Sequence, residues 1–175
     1  VLEIEVKLKI DDLDFIRGKL ERSGAALFKA RHFEHNLLYD LPESALFRKR
    51  CALRLRKVGN KAFLTFKGPH LKSRKFKVRE EFETEVKNPQ HMQKILRALG
   101  FRIVFRYQKY RTVYRKKKLI ICIDETPIGN FIELEGERNH IVRFAESLGF
   151  TKPEFIKTDY IAMLKEAGMS GGEGK

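Results

Sequence analysis

Glu3, Glu5 and Lys7 alternate with Ile4 and Val6 near the start of the chain, so two acids and a base occupy every second position. In a β-strand successive side chains point to opposite faces, which puts Glu3, Glu5 and Lys7 together and Leu2, Ile4, Val6 and Leu8 on the other side. Carboxylates at i and i+2 sit roughly 7 Å apart and repel by about 2 kcal/mol at an effective dielectric of ~20. A fold that keeps such a row either leaves it in water or uses it to hold a cation. For a single strand, a solvated face is the ordinary explanation.

The pattern recurs along the chain. Leu53-Arg54-Leu55-Arg56 alternates apolar with basic residues, and Phe63-Leu64-Thr65-Phe66-Lys67 ends an apolar run on a lysine. Arg79, Glu81, Glu83 and Glu85 share a face of one run, although Glu85 reads equally well as a solvated strand end. Lys109-Tyr110-Arg111 repeats the basic version, Ile120-Ile121-Cys122-Ile123-Asp124 ends on an acid, and Phe131-Ile132-Glu133-Leu134-Glu135 repeats the acidic opening. Many strands thus have one oily face and one charged face, with charges of both signs. Converging on an interior, these faces would line a charged cavity, with carboxylates for a metal ion and Lys and Arg for a polyanion.

Helices must hold such strands in place, and their signals follow the charged runs. Asp11-Asp12 caps a stripe of Leu13, Ile16 and Leu20 that stops at Ser23-Gly24. Asn88 as N-cap and Pro89 at the first helical position precede Met92, Ile95, Leu96 and Leu99, ending at Gly100. Asn139 is the expected cap for Ile141, Phe144 and Leu148, ending at Gly149, and a fourth helix is expected from Thr158 with Ile161 and Leu164 buried. Residues 1 to about 78 read as strand, helix and about three strands, and residues 79 to about 137 repeat that order. Each helix has a narrow apolar stripe that needs the oily strand faces, which leaves the charges inside. The expected fold is α+β, with two pseudo-repeated four-stranded halves joined edge to edge. They would form a closed antiparallel barrel of about eight strands, charged within and covered by helices.

The 175 residues suit one domain over 1–169, followed by a Gly-rich tail at 170–175 expected to be disordered. Without a long apolar run or a secretory pattern the chain is expected to be cytoplasmic, with no membrane partner. Cys51 and Cys122 lack metal or disulfide spacing and are expected to be reduced core thiols. The five histidines show no ligand spacing and suit surface or loop positions. A net charge of +14 calls for an anionic partner, leaving nucleic acid, nucleotide and polyphosphate open. The basic clusters around His70–Lys75 and Arg115–Lys118 read as solvated hairpin tips.

The ordered set of motifs resembles the CYTH, or triphosphate tunnel metalloenzyme, superfamily, over roughly residues 1–165. It runs through Glu3-Ile4-Glu5-Val6-Lys7, Asn36-Leu37-Leu38-Tyr39-Asp40-Leu41-Pro42, Ala52-Leu53-Arg54-Leu55-Arg56 and Leu64-Thr65-Phe66-Lys67-Gly68-Pro69. It continues in Arg79-Glu80-Glu81, Lys109-Tyr110-Arg111, Ile123-Asp124 and Gly129-Asn130-Phe131-Ile132-Glu133-Leu134-Glu135. The resemblance implies an eight-stranded tunnel that binds a triphosphate and needs Mg²⁺ or Mn²⁺. By position, Glu3, Glu5, Glu133 and Glu135, with Asp124, resemble the metal-side carboxylates. Lys7, Arg54, Arg56, Lys67, Arg79, Lys109 and Arg111 resemble the phosphate cradle, and Glu81 and Glu83 continue a strand whose roles vary in the family. Glu5, Lys7 and Glu135 are the expected catalytic residues. Relatives with this plan often form dimers, so a homodimer is an expectation from the resemblance too.

Phosphoryl transfer needs positioning and charge stabilisation more than a covalent nucleophile, which suits Glu, Lys and Arg. A nucleoside triphosphate or an inorganic or organic triphosphate is the implied substrate. The Gly129–Glu135 and Asn36–Asp40 stretches look most like the class IV adenylyl cyclase branch, which makes cyclic AMP and pyrophosphate. Asn36 departs from the acid that many relatives carry there. Inorganic tripolyphosphatase and thiamine triphosphatase activities are the alternatives. The rival from another class is a nucleic-acid or polyphosphate-binding module without turnover, suggested by Phe105, Tyr107, Tyr110 and Tyr114 among basic residues. Nucleic acid is the less expected partner, because rows of carboxylates repel a phosphate backbone.

Overall fold

Alternating runs become strands, and helical stripes become helices, in the order that the repeat predicts. The computed structural model describes residues 2–73, 76–151, 154–156 and 160–168. The first half contains β1 (Leu2–Ile10), α1 (Leu13–Arg22), β2 (Ala26–Asp40), a 3-10 turn (Pro42–Ser44), α2 (Ala45–Arg48), β3 (Ala52–Val58) and β4 (Lys61–Lys67). The second contains β5 (Lys77–Glu85), α3 (Pro89–Ala98), β6 (Arg102–Lys116), β7 (Leu119–Thr126) and β8 (Gly129–Glu135). α4 (Arg138–Ser147) and α5 (Tyr160–Glu166) follow. The strands close in the order β1-β5-β4-β3-β2-β6-β7-β8, with every neighbouring pair antiparallel.

The halves are interlocked rather than joined edge to edge. β1, from the first half, pairs with β8 of the second, while β5, from the second, pairs with β4 of the first. The meanders β2-β3-β4 and β6-β7-β8 meet directly at β2–β6, and the β1–β5 pair closes the opposite seam. This exchange sets the acidic opening strand beside the acidic last strand, with Glu5 opposite Glu135.

Two oily clusters lie between the barrel wall and its helices. Val6, Leu8, Ile121, Ile123, Ile132 and Leu134 pack beneath Ile16 and Leu20 of α1 and Ile141 and Phe144 of α4. Leu37, Tyr39, Leu53 and Leu55 pack beneath Leu96 of α3, with Met92 and Leu46 at the edge. Burying each such side chain contributes about 1.5–3 kcal/mol, enough to fix strand parity, since a one-residue slip would turn the charges outward. Asp12 and Asn88 cap α1 and α3, accepting hydrogen bonds from the Phe15 and His91 N–H groups. Glu137 rather than Asn139 stands at the start of α4, which places Asn139 inside the first turn. Asp40 holds the corner after β2, its carboxylate accepting from the N–H groups of Leu41, Leu46 and Phe47.

Leu164 of α5 is buried, whereas Thr158, the Ile161 side chain and the 170–175 tail lie outside the described residues. Both cysteines are free. Cys122 is buried, but Cys51 is only half-buried at the edge of β3 instead of in the core. His91 and His140 are exposed on helices and His70 lies in the loop before β5, as surface or loop positions, whereas His32 and His35 are half-buried within β2. Among the described residues no helix is long and apolar enough to cross a membrane.

Candidate active site

Strand parity turns the charged rows inward. Glu3 and Glu5 are each 8% exposed, Lys7 3% and Asp124 2%, and Arg79 and Lys109 are buried with them. Every charged residue expected at the site from the sequence faces this tunnel, and three groups form within it.

The first group gathers around the β1–β5 seam. Lys67 Nζ lies 2.7 Å from Glu3 Oε1 and 2.7 Å from Glu81 Oε2, and Arg79 Nε donates to Glu3 Oε2 at 3.3 Å. Lys77 Nζ sits 3.5 Å from Glu5 Oε1. Glu135, opposite Glu5 on the neighbouring strand, makes no hydrogen bond or ion pair among the described residues. Burial, and then the charges of Glu3, Glu5 and Glu81 set against Lys67, push its carboxyl up to about 7.

The second group joins β1, β6, β7 and β8, and Lys109 links it to Glu34 of β2 at 3.9 Å. Arg111 donates from Nε and Nη2 to the two oxygens of Asp124 at 2.6 Å each and from Nη2 to Glu133 at 2.5 Å. Lys109 reaches Asp124 at 2.8 Å, and Lys7 reaches Glu133 Oε1 at 2.8 Å. Burial opposes the charge on Lys7, but Glu133, Glu5 and Asp124 outweigh it and raise its affinity for the proton. The converse holds for Glu133, whose carboxyl stays well below its usual range because Lys7, Arg111 and Lys109 overcome the cost of burial. Cys122 shares this lining, and burial raises its thiol to about 12, so it is inert near neutrality.

The third group lines β2, β3 and the end of β5. Arg56 bridges Glu34 at 3.2 Å and Glu83 at 3.0 Å, and Thr65 donates to Glu83 at 2.6 Å. Arg54 lies 3.5 Å from Thr65 and 3.9 Å from Glu83 and hydrogen-bonds Tyr107. The Nε atoms of both arginines and both polar atoms of Asn36 are buried without a hydrogen-bond partner among the described residues, and Glu34 Oε2 meets only Lys109 Nζ at 3.9 Å.

Lys77, Glu34 and Thr65 belong to the tunnel and were not singled out by the sequence, and Tyr107 belongs to it although it was singled out only as an aromatic among basic residues. Lys77 extends the Arg79-Glu81-Glu83 parity by one step, a signal hidden in the basic stretch before it. Glu34 lies in a strand whose first residues are largely exposed and non-alternating, and two register shifts against β6 precede it. Of the four aromatics set among basic residues, Phe105 and Tyr114 are buried, and Tyr107 turns toward Arg54 in the tunnel. Tyr110 is exposed under the Arg31 guanidinium. Glu85 is a solvated strand end facing Lys61.

A divalent cation fits the first group on the strength of Glu135, a largely buried carboxylate crowded by like charges and without a cation of its own. Asp124 and Glu133 are instead neutralised by Arg111, Lys109 and Lys7, and Glu81 takes their place beside Glu3. Among the described residues no three carboxylate, His or Cys groups are drawn together as ligands, because Lys67 and Lys77 hold the acids in ion pairs.

Similar proteins share this architecture. A Methanocaldococcus jannaschii protein named "Putative adenylate cyclase" is 27% identical over 174 residues, covering 93% of this chain and 98% of its own. A Vibrio parahaemolyticus structure described as a "putative adenylate cyclase" superposes with a TM-score of 0.85 at 18% identity, over 94% of this chain and 98% of its own. A Hippeastrum structure, described as a "putative adenylyl cyclase" that reveals a dominant triphosphatase activity, superposes with a TM-score of 0.71 at 24% identity, over 94% and 96%. At these identities the two structural likenesses concern the fold. The family model for the CYTH domain matches residues 2–148, and the chain belongs to the CYTH family.

Proposed function

We propose that this chain is a divalent-metal-dependent enzyme acting on a triphosphate within the tunnel, by a class IV adenylyl cyclase-like reaction that converts ATP to cyclic AMP and pyrophosphate. The observation that carries this reading is one closed interior holding both the unpaired, crowded Glu135 and the cations Arg54, Arg56, Lys67, Arg79, Lys109 and Arg111. Glu3, Glu5 and Glu135 would hold Mg²⁺ or Mn²⁺, with Glu81 beside them, while Asp124 and Glu133 stay paired with Arg111, Lys109 and Lys7. When bound, the ion would offset phosphate charge and polarise the phosphoryl group.

The chain's own residues supply the rest. Lys67 and Arg79 pass from carboxylates to phosphate oxygens, and Arg54 and Arg56 present guanidinium forks suited to phosphate. Lys7, fixed on Glu133 and keeping its charge, holds a cation close to Glu5. Glu135 accepts the proton of the attacking oxygen as general base. In the cyclase that oxygen is the ribose 3′-hydroxyl: its bond to the α-phosphorus forms, the bond to the bridging oxygen breaks, and pyrophosphate leaves.

A triphosphatase is the second reading, favoured by the activity described for the Hippeastrum neighbour. There water takes the place of the hydroxyl and orthophosphate leaves. Among the described residues, the tunnel cations Lys7, Arg54, Arg56, Lys67, Lys77, Arg79, Lys109 and Arg111 are equalled in number by its carboxylates, Glu3, Glu5, Glu34, Glu81, Glu83, Asp124, Glu133 and Glu135. The net charge of +14 therefore resides outside the tunnel. That leaves the interior selective for a metal–triphosphate complex over a bare polyanion.

The test is a product assay with ATP, tripolyphosphate and thiamine triphosphate, each with Mg²⁺ or Mn²⁺ and again with EDTA. Cyclic AMP with pyrophosphate identifies the cyclase, orthophosphate the triphosphatase, and either is expected to vanish in EDTA. Turnover that survives EDTA, or no product from any substrate, overturns the proposal.

A further inference from the structure

The β2–β3 wall holds something that a phosphate alone does not satisfy. Asn36 is 0% exposed, and neither its Oδ1 nor its Nδ2 has a partner. Beside it, the Nε atoms of Arg54 and Arg56 have no hydrogen-bond partner among the described residues either, and Glu34 Oε2 has only the Lys109 ammonium, 3.9 Å away. Buried polar groups left this way are costly, and they persist where a ligand or bound water supplies the missing bonds. The contrast lies within the same tunnel, where both oxygens of Asp124 accept from Arg111.

The unpaired atoms are of two kinds. Arg54 Nε, Arg56 Nε and Asn36 Nδ2 are donors, and phosphate oxygens can accept from them. Asn36 Oδ1 is an acceptor, which a fully ionised phosphate leaves unsatisfied, whereas Glu34 Oε2 has the Lys109 ammonium 3.9 Å away. The group that fits therefore carries a donor beside an acceptor. An amide matches a ring nitrogen next to an exocyclic amine, the edge that lets Asn read adenine. Asn36 is flanked in register by Arg56 on β3 and by Tyr107 on β6, so an aromatic ring lies next to the amide, as heteroaromatic recognition requires. Arg54 spans this wall, hydrogen-bonded to Tyr107 and 3.5 Å and 3.9 Å from Thr65 and Glu83, and a phosphate can compete for its guanidinium.

We propose that Asn36 is a specificity-determining residue. It pairs with the amino-and-ring-nitrogen edge of the substrate's organic end, as in adenine or an aminopyrimidine, and selects an amino-heteroaryl triphosphate over inorganic tripolyphosphate. This rests on the triphosphate reading of the tunnel and adds which end of the substrate the β2–β3 wall receives.

The experiment compares wild type, Asn36→Leu and Asn36→Ser on ATP, on the triphosphate of purine riboside (which lacks the amine), on thiamine triphosphate and on tripolyphosphate. It measures kcat/KM and, by calorimetry, binding of each compound in the presence of Ca²⁺. In Asn36→Leu the ATP-to-tripolyphosphate ratio of kcat/KM is expected to fall by about 10–100-fold, the worth of one bidentate pair. Wild type is expected to disfavour the purine riboside compound by a similar factor, and the variant to lose that discrimination. Asn36→Ser, which keeps a polar group, serves if the leucine variant does not fold. Thiamine triphosphate falling in step with ATP assigns the edge to aminopyrimidines as well, and ATP falling alone restricts it to the purine. Ratios unchanged in either variant mean that the wall holds only water, and they overturn the proposal. Wild type that neither binds nor turns over any of the four overturns the triphosphate reading itself. Intact tripolyphosphate handling without discrimination against it overturns only the role of Asn36.

Discussion

On the side of the tunnel built by β6, β7 and β8, Asp124 and Glu133 are held by Arg111, Lys109 and Lys7 at 2.5–2.8 Å. Across from them, on β2 and β3, Arg54 and Arg56 leave their Nε atoms bare and Asn36 has no partner. Register explains the difference. Arg111 stands directly opposite Asp124 on the adjacent strand, so acid and base meet as the ladder forms. Arg56 stands opposite Asn36, and Arg54 opposite Leu38, so these arginines must reach to Glu34 and Glu83 for charge. The first side, backed by the larger apolar cluster under α1 and α4, is a self-neutralised scaffold. The second is under-satisfied and free to give its bonds to a ligand. Identical residue types thus serve support in one place and binding in the other.

The sharpest way to break this contrast is to remove the central cation of the self-neutralised group. Arg111→Met would strand Asp124 and Glu133 as buried charges and is expected to cost about 3–5 kcal/mol of stability, read from urea unfolding. A loss below about 1 kcal/mol would mean that the group is solvated and not a scaffold.

Glu135→Gln is expected to lower turnover by at least about 100-fold, the lower bound for loss of a general base, with folding intact by circular dichroism. The same variant sharpens the electrostatic side of the comparison. Unfolded, the Glu135 carboxyl titrates near 4.5, and folded at about 7, so the folded state holds the extra proton between those values. Stability from this group is therefore full below about pH 4.5 and declines as pH rises through 7. In metal-free buffer, Glu135→Gln should be more stable than wild type by about 1–3 kcal/mol at pH 8.5, with the gap closing toward pH 4.5. A gap that widens on acidification would contradict the crowding by Glu3, Glu5 and Glu81.

The smallest effect is expected on the under-satisfied side. Asn36→Leu removes no hydrogen bond present in the structure and should leave the urea midpoint within about 1 kcal/mol of wild type, or raise it. A loss approaching that of Arg111→Met would show that both sides are structural.

The alternation at Glu3-Glu5-Lys7 and Glu133-Glu135 made the inward charges and the helices outside legible, because strand parity depends on nearest neighbours alone. The interlocking of the halves was not legible. Pairing β1 with β8 joins residues more than a hundred positions apart, and no local pattern encodes that choice. For the same reason Asp124 looked like one more carboxylate, although the partner that neutralises it, Arg111, lies across a strand pair whose register the sequence does not state. Glu34 escaped as a site residue because the long β2 strand starts on exposed, irregularly paired residues and only its second part enters the tunnel, whereas Asn36 was legible only as a departure from the acid that many relatives carry.

The central claim is that the carboxylates around Glu135 hold a divalent ion for a triphosphate, and Mn²⁺ binding tests it most directly. Titrating Mn²⁺ at pH 8, with free ion followed by electron paramagnetic resonance, should show uptake by wild type and at least about tenfold weaker uptake by Glu135→Gln. Equal uptake by both proteins, or none by wild type even with tripolyphosphate present, would contradict it.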